Sequence, residues 1–128
     1  MKKLFVSVPM KGRTEKEIKS SIQKMKKIAE IYEGEELELI DSYIDEEPTE
    51  NCNRGVWFLA KSIDMLSEAD VFIGIQECYD WKGCWIENGV AEKYDIKKYS
   101  VNADYVIDDY TSVYRNAHPE YEKACFPG

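Results

Sequence analysis

Val71-Phe72-Ile73-Gly74-Ile75 is the stretch that decides the fold. It carries no charge and alternates β-branched residues, the pattern of a strand buried on both faces. A loop from Gln76 to Lys82 follows it, and then a helical segment from about Gly83 to Tyr94. On its other side Val56, Leu59, Ile63 and Leu66 recur at helical spacing, with Asn51 or Asn53 near the start of that helix. Further upstream, Lys3 to Val8 is another short apolar run, broken by Pro9-Met10-Lys11-Gly12-Arg13. Thr14 then opens a capping box with Glu17. Ile18, Ile22, Met25, Ala29 and Tyr32 form one apolar stripe of about five turns, and Gly34 stands where a C-terminal cap belongs. Leu37, Leu39 and Ile40 suggest a strand that runs into Asp41-Ser42-Tyr43-Ile44 and an acidic loop. Lys98 to Val101 reads as one more short strand, and Tyr105-Val106-Ile107 as a further candidate. Strands that alternate with helices predict an α/β domain with four to five mostly parallel strands, flanking helices and right-handed crossovers.

The bulk properties narrow the function. The 128 residues fit one domain, spanning 1–128, with residues 102–128 poorly assigned. With 44% hydrophobic residues a core can form, and a net charge of −8 argues against a broad basic surface for a nucleic acid polymer. A small anionic ligand needs only a few local cations and amides. No run reaches the roughly 18 apolar residues of a membrane span, and the first residues do not form a signal peptide, so a cytoplasmic location is expected. Cys52, Cys78, Cys84 and Cys125 include no C-x-x-C pair, and His118 is the one histidine. Reduced, mostly buried thiols are therefore expected, with no metal site and no cofactor.

In a parallel sheet, ligands bind beyond the carboxyl ends of the strands, near the switch in strand order. Three segments leave strands at that end: Pro9 to Thr14, Asp41 to Glu47, and Gln76 to Glu87. The first, Ser7-Val8-Pro9-Met10-Lys11-Gly12-Arg13, enters a helix N-terminus, where amides, the helix dipole, Lys11 and Arg13 favour an anion. It matches neither a Walker A loop nor G-x-G-x-x-G, and an ordinary turn with solvated cations is the alternative. In the third, Glu87 falls in the first turn or so of a helix. The dipole there would keep it ionised and able to attack an anomeric carbon, as in retaining glycosidases. A surface Glu that merely favours a helix start is the alternative. Trp57, Tyr79, Trp81 and Trp85 offer faces for a nucleobase, or else fill core and interface. Asp41, at the end of the second strand, and Asp80, seven residues before Glu87, are placed to touch a ligand or protonate a leaving base. Asp70 precedes the third strand at the opposite end and reads as structural.

Phe5-Val6-Ser7-Val8-Pro9-Met10-Lys11-Gly12, Ala69-Asp70-Val71 and Gly83-x-x-x-Glu87-x-Gly89-x-Ala91 resemble the nucleoside 2-deoxyribosyltransferase-like superfamily, in particular a branch of small bacterial and phage proteins. The resemblance runs from about residue 3 to residue 101. It implies a flavodoxin-like doubly wound sheet and a site that cleaves or exchanges the N-glycosidic bond of a nucleoside or its 5′-monophosphate. Glu87 would be the nucleophile, with Asp80, Trp81 and Gly83 near the sugar. Lys11, Gly12 and Arg13 would lie near the sugar or a 5′-phosphate, and homo-oligomers would complete each site. Three departures stand out: Phe5 where the transferases carry Tyr, Ser62 where they carry Asp, and one extra residue between Asp80 and Glu87. Two functions follow as expectations: an enzyme acting on the N-glycosidic bond, or a catalytically silent nucleotide-binding protein that uses the same cleft.

Overall fold

The computed structural model describes residues 1–49 and 51–108. The chain runs β1 (Lys3–Val6), α1 (Glu15–Glu33), β2 (Glu38–Leu39), α2 (Arg54–Leu66), β3 (Val71–Ile75), a 3-10 turn (Cys78–Asp80), α3 (Lys82–Lys93), β4 (Lys97–Val101) and α4 (Ala103–Val106). The four strands form one all-parallel sheet in the order β2-β1-β3-β4. This is an α/β architecture compatible with a flavodoxin-like doubly wound fold.

Local chemistry sets the elements. Thr14 Oγ1 accepts from Glu17 N while Glu17 Oε1 accepts from Thr14 N, closing the expected capping box at 3.1 and 2.9 Å. Gly34 ends α1 at φ 74°, a conformation that costs glycine little. Asn53 caps α2 through Val56 N at 3.0 Å. Asp70, as expected, has a structural place, where its Oδ2 accepts from Lys3 N at 2.8 Å.

Strand alternation divides the interior between two layers. Leu4, Val6, Val71, Ile73, Ile75 and Val101 face α1 and α4 in the larger cluster, together with Ile18, Ile22, Met25 and Ala29. Phe5 and Phe72 face the other way and stack at 6.0 Å, joined among the described residues only by Leu66 and Ala91 as fully buried partners. That second layer is thin. Leu66 is the one buried residue of α2, and Val56 at its start is 60% exposed.

The structure corrects one reading. Tyr105-Val106-Ile107 is not a strand: Ala103–Val106 forms a helical turn, started by Glu77 Oε1 accepting from Ala103 N at 2.9 Å. Among the described residues the sheet therefore has four strands. Cys52 is exposed, whereas Cys78 and Cys84 are buried free thiols. Cys125 and His118 lie outside the described residues. No helix among the described residues is long and apolar enough to cross a membrane.

Candidate functional site

The strand order reverses between β1 and β3, so the crevice of the fold opens at the carboxyl ends of these two strands. Ser7 follows β1 there, its amide held by Ile73 O at 2.9 Å. Glu87 reaches the same point from α3. Ser7 Oγ donates to Glu87 Oε1 at 2.6 Å across 80 residues of sequence, with the two residues only 1% and 8% exposed. The Ser62 hydroxyl of α2 supports the carboxylate from a second side. Three elements thus meet at one acidic group.

The electrostatics of Glu87 differ from the expectation. Because α3 begins at Lys82, Glu87 lies in its second turn, where the helix dipole has largely faded. Burial dominates and raises the carboxyl above its ordinary value, while the Ser7 and Ser62 hydroxyls pull it back down. Cys84, one turn earlier on the same face, is fully buried beside Ser7 and Glu87, and burial keeps its thiol protonated. At the helix start the Trp81 side chain makes no capping hydrogen bond, and Gly83 is exposed. The amides of this first turn can meet a ligand oxygen.

The other expected residues are spread around this centre. Pro9 is buried, Met10 half-buried, and Lys11 and Gly12 exposed, with Gly12 at φ 76° turning the loop. Arg13, expected at a ligand, turns inward: its guanidinium donates to Pro9 O, Glu17 O and Ser21 Oγ. The N-terminus of α1 is likewise occupied by its own capping box and by the Glu17 carboxylate. Trp81, also expected at a ligand, is 8% exposed and belongs to the larger core cluster. Its ring anchors the loop. Tyr79 and Trp85 are exposed at 67% and 61%. Asp80 is half-buried in the 3-10 turn. Asp41 is exposed, and its Oδ1 accepts from Tyr43 N at 3.2 Å. It lines a groove of about 250 Å³ with Lys19, Ile22, Gln23, Leu39 and Ser42, at the edge strand β2. Among the described residues, no group of three or more His, Cys, Asp or Glu could hold a metal ion.

Sequence reasoning passed over Cys84 and treated Ser62 only as a departure. Both carried a signal. Cys84 stands three residues before Glu87, on one helix face. Ser62 stands three residues after Leu59 and four before Leu66, on the half-buried side of α2, where a polar residue needs a partner. Comparisons with family models, curated proteins and solved structures returned no match.

Proposed function

We propose that this chain cleaves or exchanges the N-glycosidic bond of a nucleoside or nucleoside 5′-monophosphate, with Glu87 as the nucleophile. One observation carries the reading: a buried carboxylate, oriented by the Ser7 hydroxyl at 2.6 Å, stands at the switch point of a parallel sheet. Ionised Glu87 attacks C1′ as the bond from C1′ to the base nitrogen breaks and its electron pair leaves with the base. Asp80, half-buried in the turn that precedes α3, gives its proton to that nitrogen. Water or a second base then attacks C1′, the bond from C1′ to Glu87 breaks and returns the carboxylate, and the proton of the incoming group goes to Asp80. The first turn of α3 supplies amides for sugar hydroxyls.

A second reading has its own support. Phe5 is 1% exposed and stacked on Phe72, so it brings no hydroxyl to Glu87. Ser62 meets Glu87 where the transferases that the sequence resembles carry an acid. A cleft with these two changes suits a nucleotide-binding protein in which Glu87 accepts a hydrogen bond from a ribose hydroxyl without turnover.

The test incubates the protein and its Glu87→Ala variant with a panel of nucleosides and 5′-monophosphates and measures free base. Base release that disappears in the variant supports the enzyme. Thermal stabilisation by a ligand without base release supports the binder. A chain that neither releases base nor is stabilised by any of these compounds sinks both readings.

A further inference from the structure

The loop Pro9–Arg13 carries two cations with different surroundings. Lys11 is exposed and, among the described residues, makes no ion pair or hydrogen bond. Arg13 is half-buried and points into the fold. Its Nη1 donates to Pro9 O at 3.0 Å, and its Nη2 donates to Glu17 O at 3.2 Å and to Ser21 Oγ at 2.6 Å. Ser21, 1% exposed, extends the chain by donating to the Val106 carbonyl at 2.5 Å. One guanidinium thus joins the loop to the first two turns of α1 and, through Ser21, to α4. Its rigid planar fork suits several fixed acceptors at once. Burial lowers its pKa, and the exposed carboxylates of Glu17 and Asp108 nearby partly offset this. Arg13 Nε is also buried, with no hydrogen-bond partner among the described residues, so this edge of the guanidinium lies in the interior and not in solvent.

We propose that Arg13 is a positioning residue that braces the site loop against α1 and α4, leaving Lys11 as the cation this loop presents to a ligand. The role of Lys11 rests on the nucleoside or nucleotide reading above, whereas the bracing by Arg13 does not. Loop and α4 then keep their shapes together: loosening the Val106 end loosens the loop that borders Ser7.

The experiment measures amide hydrogen exchange in wild type, Lys11→Ala, Arg13→Gln, Arg13→Lys and Ser21→Ala. It also measures binding of 2′-deoxyadenosine and of its 5′-monophosphate. Arg13→Gln, Arg13→Lys and the milder Ser21→Ala should each speed exchange in residues 10–13 and 103–107 together and weaken both ligands by a common factor. Lys11→Ala should leave exchange at its wild-type rate and weaken the monophosphate alone, by roughly tenfold to a hundredfold, the scale of one hydrogen bond to a charged group. Wild-type exchange in Arg13→Gln, with a loss confined to the monophosphate and rescued by Arg13→Lys, would overturn the proposal and make Arg13 a phosphate contact. If wild type binds neither compound, the reading of the site fails, and exchange alone decides the brace: coupled acceleration supports it and unchanged exchange refutes it.

Discussion

Replacing Glu87 with Gln removes a buried charge while keeping the shape and an oxygen for the Ser7 hydroxyl. Its effect on stability has a definite sign. The folded-state pKa of Glu87 is raised from the ordinary 4.5, with burial as the largest cause. The stability contributed by the protonated form is therefore fully present below about 4.5 and is lost as pH rises through the folded value. Above that value wild type carries a desolvation cost that the amide does not. Each pH unit between folded and unfolded pKa is worth about 1.4 kcal/mol. A chain of 128 residues unfolds with an entropy of about 0.27 kcal/mol/K, so each unit shifts Tm by about 5 °C. The new amide donors add a constant offset, which makes the slope the informative quantity. Tm of Glu87→Gln minus Tm of wild type, followed by calorimetry from pH 4 to pH 8, should climb with pH and then level off. A difference that stays flat, or that falls as pH rises, refutes the claim that Glu87 is desolvated in the folded protein.

Ser7→Ala removes the 2.6 Å donor, so the Glu87 carboxyl should titrate higher still. Side-chain carbon NMR of labelled Glu reads this directly, and an unmoved titration counts against the contact. In Gly74→Ala the new Cβ would stand 2.8 Å from Cε1 of the fully buried Phe72 ring. The expected loss is about 1–3 kcal/mol, seen as a lower denaturant midpoint at unchanged slope. Glu33 accepts from Lys97 at 2.6 Å, Tyr99 at 2.7 Å and Lys2 at 3.1 Å, which holds its carboxyl down to about 2. Its depressed pKa stabilises the fold above about 4.5, and that contribution fades as pH falls toward about 2. Glu33→Gln should flatten the acid limb of the Tm profile over that range, and an acid limb as steep as that of wild type would argue against the contact.

Local signals made the backbone legible. The box of Thr14 and Glu17 and the glycine at position 34 bound α1 because each acts within one turn of chain. The apolar run Val71–Ile75 needed no context to read as a buried strand. Where the determinant was distant, the reading slipped. Three residues from Tyr105 to Ile107 hold too little pattern to separate strand from helix, and Glu77, 26 residues away from Ala103, starts the helical turn. The same applies to the site. Glu87 could be singled out from its glycine-flanked helix, but its partners arrive from β1 and α2 through tertiary contacts. The inward path of Arg13 depends on Ser21 and Val106, and Ser21 is a polar residue on a buried helix face that periodicity alone reads past. Trp81 shows the converse error, since an aromatic in a loop near a site can be there to pin the loop.

The uneven layering of the fold also sets its dynamics. The α1 side holds most of the buried apolar residues, including Cys84 of α3, whereas the second layer, to which α2 contributes Leu66 and α3 contributes Ala91, has only Phe5 and Phe72 as further fully buried members among the described residues. Partial opening should follow that asymmetry, with α2 and α3 separating from the sheet at a lower free energy than global unfolding. α3 carries Glu87, and α2 carries Ser62, its second hydroxyl partner. The subunit of structure that parts most readily is therefore the one that seals the carboxylate from water, and its breathing sets how often solvent or a small molecule reaches that group.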